Sequence, residues 1–161
     1  MRRLQRPIEE IGWTRDVPQL AVTDPVARAF DVMSKEAHDC VLVMKGGELA
    51  GIFTSRDFLN RVAAKRADPA GITLAEVMTP KPRTLRASDS VAFAINWMAV
   101  EGFRNVPIVD DQGGTLGVLT IWDVMRHLDE MFDEIDATPR VRLPHSDSSG
   151  VTSLIDIGGD A

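Results

Sequence analysis

The sequence predicts an α+β fold built from two tandem copies of a βαββα unit with pseudo-twofold symmetry, followed by an acidic helical extension and a flexible tail. The chain has 161 residues, of which 44% are hydrophobic and 26% charged. This size and composition are typical of one compact unit or two very small ones. The segment that begins at Asp24 is repeated from Asp89. In each copy a helical apolar pattern precedes two short apolar runs, which indicates a helix and then a hairpin.

The repeat is visible as matched residues at an offset of 65, which becomes 66 after the second turn. A duplication at a fixed offset predicts two structurally equivalent units. The identical pairs include Val26 and Val91, Ala29 and Ala94, Met33 and Met98, Val41 and Val106, Gly51 and Gly117, Thr54 and Thr120, and Asp57 and Asp123.

Each unit begins with a short strand, at 20–22 in the first copy and 84–85 in the second. Asp-Pro and Asp-Ser follow these strands and are helix N-cap signals, so a helix of about three turns is expected after each. The runs CVLVM and NVPIV then pair with LAGIFT and TLGVLT across Gly-rich turns. A second helix is expected to start at Ser55 and at Ile121.

Composition divides the chain into four parts. A Pro and a Gly in ADPAGIT end the first unit. The C-terminal segment is rich in Ser, Pro and charges of alternating sign and has too few apolar residues to form a core, so it is predicted to be flexible. The parts are an N-terminal arm (1–14), the first unit (15–71), the second unit with its helical extension (72–136) and the tail (137–161).

Charge and cysteine content exclude several classes of protein. The formal net charge is −6, and most of it lies in DEMFDEID, residues 129–136. The rest of the chain is close to neutral, so it lacks the basic surface of a nucleic-acid binder. A single Cys forms no internal disulfide, which favours the cytoplasm. No apolar run is long enough to span a membrane, and no signal peptide is apparent.

The acidic segment is expected to extend the last helix to about residue 135. Val124, Leu128, either Met131 or Phe132, and Ile135 follow helical spacing along it. This apolar stripe has two interpretations. It covers the core of its own unit, or it packs against a second subunit, and periodicity does not separate the two.

The motif with the clearest chemistry is GIFTSRD at 51–57, repeated as GVLTIWD at 117–123. It lies where a strand passes into a helix, so the Thr and the next backbone N–H groups are placed to bind a phosphate. The Asp one turn later suits a pair of ribose hydroxyls. A Thr followed three residues later by an acid is also a capping box, which is a purely structural device. Its occurrence in both copies favours the binding interpretation.

Together these segments resemble a tandem pair of cystathionine-β-synthase-type (CBS) domains, known as a Bateman module. The resemblance covers residues 15–130 and rests on the two motifs above, on VMTPKPRTLRASDSV and on EGFRNVPIVDDQGG. It implies a regulatory module that binds an adenosine-containing ligand, such as AMP, ADP, ATP or S-adenosylmethionine, in a cleft between the two domains. It also implies a disc-like homodimer.

The resemblance carries ten candidate ligand contacts onto this sequence. Ribose hydroxyls would be held by Asp57 and Asp123, and phosphate would be contacted by Thr54, Thr120, Arg56 and Arg104. The base slot would be lined by Thr84, Val106 and Pro107. The tenth residue is an aromatic at a helix start, Trp122.

The two copies differ beside the Asp, because Trp122 stands where the first copy has Arg56. Two equivalent ligand sites are therefore not expected. Trp122 has two interpretations of its own, stacking on a base or packing within the cleft.

Other kinds of site have little support. Three His residues lie far apart with no Cys or carboxylate at ligand spacing, so no metal site is expected and these side chains are interpreted as solvated or capping. Cys40 lies in an apolar strand and is expected to be a small core residue. No nucleophile, P-loop or dinucleotide motif is present, so the chain is not expected to be an enzyme.

These observations lead to two hypotheses of function. In the first, the chain is a cytoplasmic, non-enzymatic sensor of an adenine nucleotide that signals to a protein partner in trans. In the second, the ligand site has degenerated and the chain is a scaffold that binds proteins through its acidic helix and tail.

Overall fold

Each repeat folds as a small sheet with helices packed against it. The computed structural model describes residues 5–135, and side chains from residue 5 to 132. The first repeat contains β1 (Gln19–Ala21), α1 (Val26–Glu36), β2 (Cys40–Lys45), β3 (Glu48–Thr54) and α2 (Ser55–Asp57). A linking segment contains α3 (Leu74–Val77) and β4 (Thr79–Pro80). The second repeat contains β5 (Leu85–Arg86), α4 (Val91–Glu101), β6 (Asn105–Val109), β7 (Thr115–Thr120) and α5 (Ile121–Ile135). The predicted α+β fold is confirmed.

The two sheets have the same topology. Strand β1 runs parallel to β2, and β2 pairs antiparallel with β3; likewise β5 is parallel to β6, and β6 is antiparallel to β7. The registers also correspond, because Cys40 lies opposite Thr54 and Asn105 lies opposite Thr120. Each motif Thr therefore ends its hairpin beside the first residue of the partner strand.

Each sheet is extended by the segment that precedes the other repeat. Strand β4 comes just before the second repeat and pairs with β3 of the first, with Thr79 opposite Ile52. Thr14 comes before the first repeat and bridges Val118 on β7, whose N–H donates to the Thr14 carbonyl oxygen at 2.9 Å. This exchange joins the two repeats through their backbones.

The cores follow the same exchange. Leu74 and Val77 of α3 are buried in the core of the first repeat, whereas Ile8, Ile11 and Trp13 are buried in the core of the second. Contacts therefore cross the predicted limits of the arm and the two units, and the limits themselves stay predictions.

The exchange explains why the motif begins with glycine. A Cβ on Gly51 would lie 2.9 Å from the carbonyl oxygen of Thr79, and a Cβ on Gly117 would lie 2.9 Å from the Cα of Arg15. Gly117 also has φ +150°, a backbone conformation that other residues rarely adopt. A side chain at either position would push the crossing segment away from the sheet.

The helix starts differ in part from the prediction. Asp24 does not cap α1: Pro25 is the N-cap, and the Asp24 carboxylate instead accepts from the Ala21 N–H at 2.8 Å and pairs with Arg28 at 2.8 Å. In α4 the hydroxyl of Ser90 does accept from the helix, at 3.2 Å.

The second helices of the two repeats have different lengths. After Asp57 the first continues as a π-helix over Phe58–Ala63, whereas α5 runs without a break to Ile135, as predicted. Met131 is half-buried and Phe132 is 52% exposed, so Met131 occupies the inward position of the apolar stripe.

No helix within residues 5–135 is long and apolar enough to cross a membrane. The predicted tail, its apolar stretch at 153–157 and His145 lie outside the described residues, as do residues 1–4.

Candidate functional site

The Thr and Asp of each motif form a capping box, as the structural interpretation expects. The N–H of Thr54 donates to Asp57 Oδ2 at 3.0 Å, and the N–H of Asp57 donates to Thr54 Oγ1 at 3.2 Å. Thr120 and Asp123 repeat this arrangement at 2.9 and 3.1 Å. The box engages only Oδ2 of each carboxylate, and the other oxygen is left to contact something else.

That second oxygen has different neighbours in the two repeats. Oδ1 of Asp57 is 3.3 Å from Arg61 Nη2 and 3.3 Å from Thr79 Oγ1. Oδ1 of Asp123 makes a much shorter contact with Arg126 Nη2, at 2.5 Å. Charge-assisted hydrogen bonds strengthen as they shorten, so the Asp123 oxygen is the more firmly held of the two.

A cavity of about 980 Å³ opens beside the first motif, between the two repeats. Asp57 forms part of its wall, and Thr79, Lys81 and Arg83 contribute a second part from the segment that begins with β4. The second repeat closes the other side with Arg104 and its neighbours before and within β6. This volume lies within the range of small-molecule sites in proteins.

Six of the ten candidate contacts line this cavity, namely Thr54, Arg56, Asp57, Arg104, Val106 and Pro107. Thr84, Thr120, Trp122 and Asp123 do not. Asp123 faces the crossing segment at Thr14, whose Oγ1 lies 3.4 Å from it. Trp122 neither packs nor reaches the cavity, because 74% of its surface is exposed.

The predicted base slot comprises Thr84, Val106 and Pro107, of which only Val106 and Pro107 line the cavity. Both residues are buried in β6 and, with Ile52 on β3, give the cavity an apolar part. The cavity is also lined by basic side chains, among them Arg56, Lys81 and Arg104. A cavity that offers both apolar and cationic residues suits a ligand that has a flat base and phosphates.

A polar bridge joins the two repeats at this cavity. Asp39 precedes β2, and its carboxylate accepts from the Ser55 hydroxyl and from Asn105 Nδ2, the latter at 3.0 Å. Sequence reasoning missed Asp39, Thr79 and Lys81. The offset of 65 places Thr79 opposite Thr14 and Asp39 opposite Arg104, so the repeat itself carried a signal for Thr79 and Asp39. Lys81 falls opposite Asp16, so the repeat carried no signal for it.

Cys40 and His127 are both buried. Cys40 is 4% exposed, which confirms it as a core residue. The pKa of its thiol is raised to about 12, mainly because the thiol is buried and to a smaller extent because the charge of Asp39 lies nearby. His127 is not solvated as expected, because it is 7% exposed and its Nε2 has no partner among the described residues. Within residues 5–132, no three His, Cys, Asp or Glu side chains are grouped as metal ligands would be.

Solved structures of similar fold include proteins with CBS domains. A protein with CBS domains from Burkholderia ambifaria MC40-6 superimposes with a TM-score of 0.70 at 25% identity, over 75% of this chain and 90% of its own. The complex of CBSX2, an Arabidopsis thaliana protein, with AMP gives a TM-score of 0.67 at 20% identity, over 79% of this chain and 98% of its own. At that identity the second likeness concerns the fold alone.

Curated relatives match about two thirds of this chain. Meiotically up-regulated gene 70 protein of Schizosaccharomyces pombe is 33% identical over 109 residues, which cover 68% of this chain and 15% of the relative. A homoserine O-acetyltransferase of Methanocorpusculum labreanum is 33% identical over 108 residues, which cover 66% of this chain and 21% of the relative. The chain therefore spans about a fifth or less of the length of these two proteins.

The family model for the CBS domain matches twice, over residues 12–64 and 74–130. These two matches fall on the two repeats and cover more than half of the chain. Together with the fold, they establish that this chain belongs to the CBS domain family, as a tandem pair.

Proposed function

We propose that this CBS-domain pair is a regulatory module that binds an adenine nucleotide in the cavity beside Asp57. The observation that carries the proposal is the convergence there of Asp57 Oδ1, which the capping box does not engage, with basic side chains from both repeats. The AMP complex of CBSX2, a protein of the same fold, supports an adenosine ligand.

Each side of the cavity would meet a different part of the nucleotide. Asp57 Oδ1 would accept from the ribose hydroxyls, since its contacts with Arg61 and Thr79 are both 3.3 Å long. Arg56 and Arg104 would contact phosphate, and the β6 residues Val106 and Pro107 would pack against the base. Ligand roles for Thr84, Thr120, Trp122 and Asp123 stay predictions.

Binding of a ligand in this cavity would change the orientation of the two repeats relative to each other. The ligand would touch the first repeat at Asp57 and the second at Arg104, next to the bridge from Asp39 to Asn105. A ligand shifts such an arrangement only as far as it prefers one state over the other. The partner that would sense the change in trans, the cytoplasmic location and the absence of catalysis stay predictions.

A homodimer is part of the proposal, and α4 and α5 are its proposed interface. Phe93 and Val100 on α4 are 52% and 73% exposed, and Trp122 and Met125 on α5 are 74% and 52% exposed. Helices that carry apolar residues on their outward side are usually covered by another element. The hexameric CBS-CP12 protein, which has the same fold, shows that CBS proteins can assemble into oligomers.

The scaffold hypothesis is kept as a second candidate because of Trp122. A Trp that is 74% exposed is an unusual surface residue and a frequent anchor of protein interfaces. If no nucleotide binds, this part of α5 is the first place to look for a protein partner.

Thermal shift with AMP, ADP, ATP and S-adenosylmethionine tests nucleotide binding. A ligand at 100 times its dissociation constant adds about 2.7 kcal/mol, which raises Tm by roughly 5–10 °C for a chain of this size. If none of the four shifts Tm, the nucleotide proposal fails.

The variant Asp57→Ala, compared with Asp123→Ala, locates the site. Both variants remove a capping box, so both lower stability by about 1 kcal/mol. Only Asp57→Ala is expected to abolish nucleotide binding measured by calorimetry. Equal loss of binding in the two variants would contradict the assignment to the first repeat.

A further inference from the structure

The acidic side chains of the cavity are already occupied by partners within the protein. Asp57 pairs with Arg61 at 3.3 Å, and Glu101 pairs with Arg83 at 3.3 Å. Asp39 accepts hydrogen bonds from two neighbouring side chains. The ion pairs engage two of the cations that line the cavity, Arg61 and Arg83.

Three other cations line the same cavity and are not engaged. Arg56, Lys81 and Arg104 make no ion pair or side-chain hydrogen bond within residues 5–132. They come from the start of α2, from the segment after β4 and from the loop before β6, so the fold brings them together from distant parts of the sequence. Asp39 is the one acid of the wall whose hydrogen-bond partners are neutral, so the three unpaired cations leave the wall with a net charge of about +2.

Lys81 is held at the cavity by an unusual backbone. It has φ +45°, which is uncommon for a residue other than glycine, and its N–H donates to the Ala50 carbonyl oxygen at 2.9 Å. A backbone of this kind persists only where the surroundings fix it. The hydrogen bond to β3 thus fixes where the Lys81 side chain leaves the chain.

Among the described residues, the second repeat has no such group of unpaired cations at its motif. Trp122 stands at the position that corresponds to Arg56, and Asp39 of the first repeat stands at the position that corresponds to Arg104. The two cations beside the second motif both have partners: Arg126 is bound to Asp123 at 2.5 Å, and Arg15 lies over the ring of Trp13 at 4.4 Å. Surplus positive charge is therefore a property of the Asp57 cavity and not a general consequence of the repeat.

We infer that this cavity selects an adenosine polyphosphate, ATP or ADP, over AMP and S-adenosylmethionine, and that Arg56, Lys81 and Arg104 are the selecting residues. The inference rests on the proposed function and specifies its ligand class. A polyphosphate has enough anionic oxygens, spread over two or three phosphate groups, to engage three separate cations. AMP has a single phosphate group. S-adenosylmethionine carries a sulfonium cation, which the net positive charge of the wall repels.

Isothermal titration calorimetry of the full chain with each of the four ligands, in buffer with EDTA, tests the selection. ATP is expected to bind at least about tenfold more tightly than AMP, since each added charge-assisted contact contributes a factor of this order. Raising the salt concentration is expected to weaken ATP binding more than AMP binding, because the contacts lie on an exposed rim.

The double variant Lys81→Gln/Arg104→Gln tests the selecting residues. It is expected to reduce the preference for ATP over AMP to about twofold, mainly by weakening ATP. Lys65→Gln is the matched control, because Lys65 is exposed and lies outside the cavity. It is expected to leave the preference unchanged, and Tm of each variant without ligand confirms that it is folded.

The outcomes separate this inference from the function on which it rests. Tight AMP or S-adenosylmethionine binding that equals or exceeds ATP binding overturns the selection but leaves nucleotide sensing in place. A preference for ATP that survives in the double variant overturns the assignment to Lys81 and Arg104. If none of the four ligands binds, both the selection and the proposed function fail.

Discussion

The two repeats begin their second helices with the same Thr–Asp pair, yet they leave the Asp in different surroundings. Oδ1 of Asp57 has two long contacts, with Arg61 and Thr79, and lines a cavity. Oδ1 of Asp123 is bound by Arg126 at 2.5 Å. The duplication reproduces the helix start, and residues outside the motif decide whether the carboxylate is available to a ligand.

The first helices of the two repeats are also alike on their buried faces and different on their exposed faces. Helices α1 and α4 bury equivalent residues, such as Val26 and Val91, in their cores. On the outward side α1 exposes Lys35, whereas α4 exposes Val100 at the equivalent position. Packing into the core constrains one face of a helix, and the other face is free to serve an interface.

The largest expected effect concerns the glycines that admit the crossing segments. Gly117→Ala is expected to lower the free energy of unfolding by about 3 kcal/mol, since its φ of +150° and the backbone of residues 14 and 15 leave no space for a Cβ. Gly51→Ala is expected to cost about 1–2 kcal/mol less, because part of what it meets is the flexible Met78 side chain.

Urea unfolding of the two glycine variants measures this difference. If Gly51→Ala proves as damaging as Gly117→Ala, the two crossing segments are equally rigid, and that part of the comparison is wrong.

A smaller effect is expected from the capping boxes, and it separates stability from binding. Thr54→Val and Thr120→Val each remove the hydroxyl that accepts from the Asp N–H, at 3.2 and 3.1 Å, so each is expected to cost about 1 kcal/mol. Only Thr54→Val is expected to weaken nucleotide binding as well. Thermal unfolding and calorimetry on the same samples provide the two readouts, and loss of binding in Thr120→Val would show that the repeats are coupled.

Cys40 and Asn105 start equivalent strands, and only Cys40 titrates. Because burial raises its pKa from 9.0 to about 12, the thiol is expected to react slowly with a thiol-specific reagent at pH 8 in the folded protein. The raised pKa contributes stability that is fully present below pH 9 and is lost as the pH rises toward 12. Cys40→Ala is the control, and its stability is expected to fall less over that range.

The smallest effect is expected at α3, in the segment that links the repeats. Hydrogen bonds from the backbone and the side chain of Thr73 lower the pKa of Glu76 below 4.5. Its contribution to stability is therefore present above the unfolded-state pKa and is lost as the pH falls through the folded-state value. Glu76→Gln is expected to flatten the acid limb of a pH–stability curve slightly, and an unchanged curve would show that this exposed cap contributes nothing.

Much of this structure follows from local patterns in the sequence. The hairpins, the helix starts at Ser55 and Ile121, the end of α5 near residue 135 and the burial of Cys40 were all predictable, because each depends on neighbouring residues and on the apolar period. The prediction that Asp24 is the N-cap of α1 was wrong, because the Asp24 carboxylate accepts from the Ala21 N–H and pairs with Arg28. Local patterns do not rank such competing contacts.

The sequence by itself determined the duplicated βαββα unit and the Thr–Asp helix starts, since both arise from interactions within a few residues of the chain. Only the tertiary structure decided that each sheet receives a segment from before the other repeat, and that Asp39, Lys81 and Arg104 meet at one cavity. The physical reason is that these contacts join residues far apart along the chain. Their partners are chosen by the packing of whole repeats against each other.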